Sequence, residues 1–290
     1  MALDEEHGIC YILSVGNYLN KGKSVKDSDK DTQNTTGRPY ILAETTWDVV
    51  KKTDYDVAIL PWGATEAHNY HLPYATDNYQ SDYVAMESAR KAWEKGAKVV
   101  VLPCVPFGVN TGQFDIKLDI NMNPSTQAAV LKDVAASVYR AGIKKFLVMN
   151  GHGGNNFKQI IREVGVEFSG MVIFGTNWWQ VADGNQYFDE PGDHAGELET
   201  SAMQFIVPEF VKPLETAGDG SSNPFTIKAL RDGKVWTQRL WSKATNDTGV
   251  GNPKMATPEK GKRFIDKASD DLAEFLVDLS QTDLNDLYKK

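Results

Sequence analysis

The chain holds only two cysteines, Cys10 and Cys104, in 290 residues. They form no C-x-x-C pair, so neither a disulfide framework nor a thiolate zinc site is indicated, and two reduced thiols are expected. Long hydrophobic runs are missing as well. No stretch reaches the roughly 18 apolar residues that a membrane-spanning helix requires. Positive charge is scarce, with 31 Lys+Arg against 39 Asp+Glu and a formal net charge of −8. Binding a phosphate backbone needs a basic surface, which argues against nucleic acid as the main partner but not against a nucleobase or nucleotide substrate. The opening residues Asp4, Glu5 and Glu6 lack the basic start and apolar core of a signal peptide, so the cytoplasm is the expected compartment.

What remains is an ordinary globular composition, 41% apolar and 24% charged, long enough for a sizeable core. Four short apolar or β-branched runs read as buried strands: Val57–Trp62, Lys98–Leu102, Lys145–Asn150 and Met171–Gly175. Helical patterns lie between them. Ala85, Ala89, Ala92 and Trp93 share a face that stops at Gly96; Val130, Val134 and Val138 follow a Pro124-Ser125 start and close at Gly142. Near the C-terminus Phe264, Ala268, Leu272, Phe275 and Leu276 form an amphipathic stripe. Strands alternating with helices indicate an α/β fold with a mainly parallel sheet covered on both faces. Residues 17–40, 215–224 and 242–258 are polar and loop-like, the first a long loop or arm. No linker divides the chain, which reads as one domain over 1–290.

The chemistry-bearing residues fall in three short segments. Of five histidines, four (His68, His71, His152 and His194) sit among Glu, Asp, Gly and Asn. The first segment, Trp62 to Asp77, leaves the carboxyl end of a strand, the edge where open α/β sheets bind ligands. Glu66 and His68 are two apart, which in an extended stretch puts both on one side. Asp77 precedes a helical pattern and suits either an N-cap or a metal ligand. The second segment, Asn150-Gly151-His152-Gly153-Gly154-Asn155-Asn156, has glycines for close backbone approach. It lacks the Lys-Ser/Thr of a phosphate-binding loop, and a His at its apex suits a metal better. In the third, Asp193-His194-Ala195-Gly196-Glu197-Leu198-Glu199, the two Glu and His194 cannot share one helix face. If Glu197 is solvated, His194 and Glu199 point inward; spacing alone leaves open which Glu does. Two Glu, two His and one Asp suit a pair of divalent ions such as Zn, Mn or Fe, with Asp77, standing apart from both pairs, as the natural bridge.

At these positions the sequence resembles the creatininase (creatinine amidohydrolase) family. The resemblance rests on Glu66-x-His68-x-x-His71-Leu72-Pro73-x-x-Thr76-Asp77, on Asn150-Gly151-His152-Gly153-Gly154-Asn155, and on His194-Ala195-Gly196-x-x-Glu199-Thr200-Ser201. It implies a three-layer αβα sandwich with a mainly parallel sheet, a dinuclear metal centre and a homo-oligomer, often a hexamer. Glu66 and His152 would hold one ion and His68 the other, with Asp77 bridging. Creatininase itself places a second-metal Glu two residues beyond the His matching His152, where this chain has Gly154. Relatives with the plain Gly-His-Gly-Gly-Asn turn take that ligand from the Glu matching Glu199, so a member other than creatininase proper is indicated. His194 matches the proposed proton donor to the leaving nitrogen; with Glu199 it makes the catalytic pair. His71 reads as hydrogen-bond support for a ligand. Asn69-Tyr70 replaces the more usual Gly-Pro, so the local loop shape is expected to differ. Trp178 and Trp179 would wall a pocket or fill core.

The expected activity is therefore hydrolysis of a non-peptide C–N bond in a small cyclic amide or formamide, by a hydroxide held between two divalent metals. The rivals are an N-formyl or formamidopyrimidine deformylase, a peptidase of a peptide-modification pathway on the same site, and a non-catalytic small-ligand binder.

Overall fold

A computed structural model describes residues 37–289. His7, Cys10 and residues 17–36 of the expected arm lie outside the described residues. Of that arm, Arg38 pairs with Glu44, Tyr40 is buried, and the Tyr40 carbonyl accepts Val101 N–H at 2.8 Å.

Four strands form one parallel sheet in the order β2-β1-β3-β4, where β1 is Val57–Trp62, β2 Val99–Val101, β3 Lys145–Asn150 and β4 Val172–Asn177. β1 and β3 keep the bounds their composition suggests. β2 is shorter than Lys98–Leu102, and β4 is shifted toward its end relative to Met171–Gly175 because it stays in register with β3 as far as Asn150↔Asn177. All six residues of β1 are buried, as a central parallel strand with both faces covered requires.

Five longer helices cover the sheet: α1 (Thr76–Glu94), α2 (Pro124–Arg140), α3 (Phe157–Gly165), α4 (Glu197–Ile206) and α5 (Pro258–Gln281). Alternation along the strands sends Val57, Ile59, Leu147 and Met149 into one core with Val84 and Ala89 of α1, Met203 of α4 and Phe264 and Leu272 of α5. Ala58, Leu60, Trp62, Phe146 and Val148 enter a second core with Leu131 and Ala135 of α2 and Ile160 and Val164 of α3. This is the three-layer αβα sandwich. The row Val130–Val134–Val138 is corrected to Leu131, Ala135 and Val138. A strict four-residue repeat drifts around a 3.6-residue helix, leaving Val130 and Val134 at the edge of the buried stripe. Phe275 likewise lies at an edge, 37% exposed. Cys104 is a free thiol, pushed up by burial. Among the described residues no helix is long and apolar enough to cross a membrane.

Helices α4 and α5 cross where Gly261 faces the backbone of Ser201; a Cβ there would lie 2.0 Å from the Ser201 carbonyl oxygen. In an open helix Gly→Ala gains about 1 kcal/mol. At this crossing the sign should reverse, and Gly261→Ala should lose about 1–3 kcal/mol in urea unfolding through overpacking. Stability at or above wild type would contradict so close a crossing.

Candidate metal centre

β1 and β3 end side by side, with Trp62 paired to Asn150. From there the chain leaves in opposite directions, to α1 and β2 on one side and to α3 and β4 on the other. Such a reversal opens a crevice at the carboxyl edge of a parallel sheet. The segment after β1 folds back on itself, with Glu66 N–H donating to Tyr74 O at 3.1 Å and a bridge between His68 and Leu72. This brings Glu66 and His68 over the start of α1. Asp77 stands in the first turn of α1 rather than at its N-cap, which is Ala75. Its carboxylate is thereby directed to the crevice. The turn after β3 supplies His152, the loop into α4 supplies His194, and the first turn of α4 supplies Glu199.

All six side chains converge. His152 Nδ1 lies 2.8 Å from Glu66 Oε1 and 3.1 Å from Asp77 Oδ2. His68 Nε2 lies 3.0 Å from Asp77 Oδ1, 3.9 Å from Glu199 Oε2 and 4.0 Å from Glu66 Oε1. His194 Nδ1 is 3.8 Å from Glu66 Oε1. Asp77 thus faces His68 with one oxygen and His152 with the other. The ligand atoms of Glu66–Asp77–His152, of His68–Asp77–Glu199 and of Glu66–His68–His194 each fall within 4.8 Å of one another.

The second nitrogen of each imidazole meets a backbone carbonyl. His68 Nδ1 lies 3.0 Å from Glu66 O, His152 Nε2 3.1 Å from Val109 O, and His194 Nε2 2.8 Å from Ala67 O. A carbonyl only accepts, so in each ring this outer nitrogen carries the proton and the inner one presents its lone pair to the carboxylates. That is the tautomer a metal-ligating histidine adopts when its outer N–H is held by a backbone oxygen. Buried Asp77 Oδ2 has no polar partner other than the His152 ring 3.1 Å away. Lone pairs aimed at three carboxylates, two of them buried, require a cation or protons between them. In the ion-free protein the balance goes to protons. Burial disfavours the His68 cation, yet Asp77, Glu199 and Glu66 push it up to about 10, and His152 is raised in the same way by Glu66 and Asp77. Burial would raise Glu66, but the three imidazoles hold it well below the usual carboxylate range; burial raises Glu199. The donor set of carboxylate oxygens and imidazole nitrogens fits Zn, Mn or Fe.

Glu197 corrects an expectation. It is fully buried rather than solvated, paired with Lys260 and accepting Glu190 N–H at 2.8 Å. Two positions along α4 turn it away from the crevice, and Glu199 is the one that enters. His71 donates to or accepts from Thr200 Oγ1 at 2.9 Å and is held down to about 4 by burial and the nearby His68; it supports α4 rather than joining the cluster. Gly154, where creatininase carries a Glu, is closed to any side chain: a Cβ would lie 2.3 Å from Val109 O and 2.4 Å from His152 Nε2. Asn69 takes φ +54°, a conformation Asn tolerates where Gly is otherwise expected, and its side chain binds Gly218 N–H at 2.8 Å. Ala195, at φ +50°, turns the backbone between His194 and Glu199. Trp178 is buried and Trp179 half-buried, and both line the crevice as well as packing against the core.

Residues that spacing could not single out complete the site. Gln113 donates to Glu66 Oε2, and Trp241 packs on His194 with ring centroids 5.2 Å apart. The cavity above the cluster has a volume of about 550 Å³. No motif marks these residues: Gln113 lies in an irregular segment between the first two ligand motifs, and Trp241 opens the four-residue helix Trp241–Ala244.

A family model described as creatinine amidohydrolase matches residues 43–276. The chain is 24% identical over 220 residues to the mycofactocin precursor peptide peptidase of Mycobacterium tuberculosis, covering 73% of this chain and 81% of that one. It is 26% identical over 160 residues to a 2-amino-5-formylamino-6-ribosylaminopyrimidin-4(3H)-one 5'-monophosphate deformylase of Methanothermobacter marburgensis, covering 53% and 62%. The crystal structure of a putative creatinine amidohydrolase from Bacteroides fragilis superposes with a TM-score of 0.82 at 43% identity, over 87% of this chain and all of the other.

The charge balance predicts how the ion-free protein responds to pH. His68 rises from its ordinary 6.5 to about 10 on folding. A raised cationic group contributes stability that is fully present below its unfolded value and lost as pH climbs through its folded value. With chelator present, stability should therefore fall between pH 6.5 and 10, and His68→Asn should flatten that slope in urea unfolding. An unchanged slope in the variant would contradict the assignment.

Proposed function

This chain belongs to the creatininase family, and from that premise we propose that it is a metal-dependent hydrolase of a C–N bond in a small cyclic amide or formamide. The observation that carries this reading is the arrangement of imidazoles, each with its outer N–H on a backbone carbonyl and its inner nitrogen turned toward shared carboxylates. On this reading Glu66, His152 and Asp77 would hold one divalent ion, and His68, Glu199 and Asp77 would hold a second. Two bound ions of Zn, Mn or Fe would polarise the scissile carbonyl and acidify a water at neutral pH.

The chain's own residues supply the rest. Gln113 fixes the rotamer of Glu66 by donating to its second oxygen. His194 keeps its Nε2 proton on Ala67 O, which leaves Nδ1, 3.8 Å from Glu66 Oε1, to exchange a proton with the substrate. It takes a proton released during attack and passes it to the departing nitrogen, the transfer that turns an amide into an amine leaving group. Glu199, half-buried at the crevice, would hold the second ion and complete the catalytic pair with His194. Trp178, Trp179 and Trp241 line the cavity and limit water around the developing charge. The ligands come from turns on both sides of one sheet, which suits a single domain. Assembly as a homo-oligomer, hexameric by analogy with the family, is measurable by light scattering.

A formyl-transferring water reaction and peptide-bond hydrolysis would use the same ligands. Scoring formate release, lactam opening and cleavage of short peptides side by side separates these substrates. A protein that binds ligands but turns over none of them would be the non-catalytic member.

Two variants test the assignment. Asp77→Ala removes the shared carboxylate and should lower bound metal at both positions, measured by plasma mass spectrometry. His194→Ala should keep its metal and lose about 10²–10⁴-fold in kcat, the usual contribution of a positioned acid–base group. Normal turnover in the second variant would refute the proton-transfer role.

A further inference from the structure

Among the described residues lining the cavity, Arg239 is the only lysine or arginine, against Glu66, Asp77, Asp193 and Glu199. It sits on a segment that crosses the cavity mouth and is fastened to the loop after Asn110. Trp241 N–H donates to Gly112 O at 3.0 Å, Thr111 Oγ1 donates to Gln238 Oε1 at 2.7 Å, and Ser242 Oγ bonds Asp115. Gly112 permits the contact, since a Cβ there would lie 2.1 Å from Arg239 O. The crossing is built for close approach.

Two contacts fix the guanidinium. It lies 4.5 Å over the Trp241 ring, and its Nη1 is 2.6 Å from Asp193 Oδ2. Trp241 in turn packs on His194, whose ring is 4.1 Å from that of His68. Arg239 therefore stands two stacking layers from His194, on a column that runs from the cavity mouth to the ligand cluster. Asp193 occupies one edge of the guanidinium fork. The Nε and Nη2 donors make no hydrogen bond among the described residues, and the side chain remains 42% exposed. A planar fork with one free edge matches a single carboxylate bidentately. One guanidinium already shared with Asp193 does not offset a phosphate dianion in so acidic a cavity.

We propose that Arg239, laid over Trp241 and tied to Asp193, is an anion subsite, and that the substrate is an amide bearing a carboxylate. This rests on the amide-hydrolase reading for its scissile bond, but the subsite itself can be read without turnover. The Arg239–Asp193 pair is the selector. An incoming carboxylate takes the free edge of the fork, while a neutral analogue of equal size gains nothing there.

Matched probes test it: 5-oxoproline against its neutral amide 5-oxoprolinamide, titrated into the metal-loaded protein with intrinsic tryptophan fluorescence as the readout. The carboxylate should bind at least about ten-fold more tightly, as one charge-assisted pair allows. Arg239→Gln should bring the two affinities together, Arg239→Lys should keep part of the difference, and Asp193→Asn should strengthen binding of the carboxylate alone. Equal binding in wild type, no binding of either probe, or a preference that survives Arg239→Gln would overturn the subsite. In the last case the ions alone would be reading the carboxylate. If the preference follows Arg239 yet no amide is hydrolysed, the catalytic reading fails and the subsite stands.

Discussion

Three carboxylates, the buried Glu66 and Asp77 and the half-buried Glu199, are gathered at one sheet edge with no lysine or arginine paired to them among the described residues, and the rest of the site answers to that charge. Three imidazoles face them, each with its proton anchored on a backbone oxygen. Leaving such charges unpaired in a low-dielectric interior is costly, so the arrangement persists only with protons or cations at its centre. The surrounding loops are shaped to hold the imidazoles in this orientation. Val109 O, Ala67 O and Glu66 O are presented by irregular backbone, which regular strands and helices would have committed to their own hydrogen bonds.

That requirement explains features without a role in the core. Gly154 leaves room for Val109 O against His152. Asn69 and Ala195 adopt left-handed backbone where the chain must turn sharply beside a ligand. Such conformations cost free energy and gather where the surroundings over-determine them. Glu197 is paired with Lys260 on the outer side of α4, so of the two α4 carboxylates only Glu199 adds negative charge to the crevice.

Much of this was legible in the sequence. β1 and β3 announced themselves because a strand buried on both faces is continuously apolar, and the polar turns that follow them stood out by contrast. Glu66, His68, Asp77, His152, His194 and Glu199 are all brought to one crevice. The choice between Glu197 and Glu199 was not legible, because it depends on Lys260, sixty residues further on and on another helix. Gln113, Arg239 and Trp241 were equally hidden. Gln113 and Arg239 belong to irregular segments and Trp241 to a helix of four residues, too short for periodicity, and only the sheet topology that opens the crevice shows what these segments close over.

The chemistry we propose needs two divalent ions at this cluster. Metal content by plasma mass spectrometry, on protein purified without chelator and dialysed against metal-free buffer, decides it. About two ions of Zn, Mn or Fe per chain are expected, one for each of the two ligand groups that share Asp77. Absence of bound metal, even after incubation with each of the three ions, would contradict it.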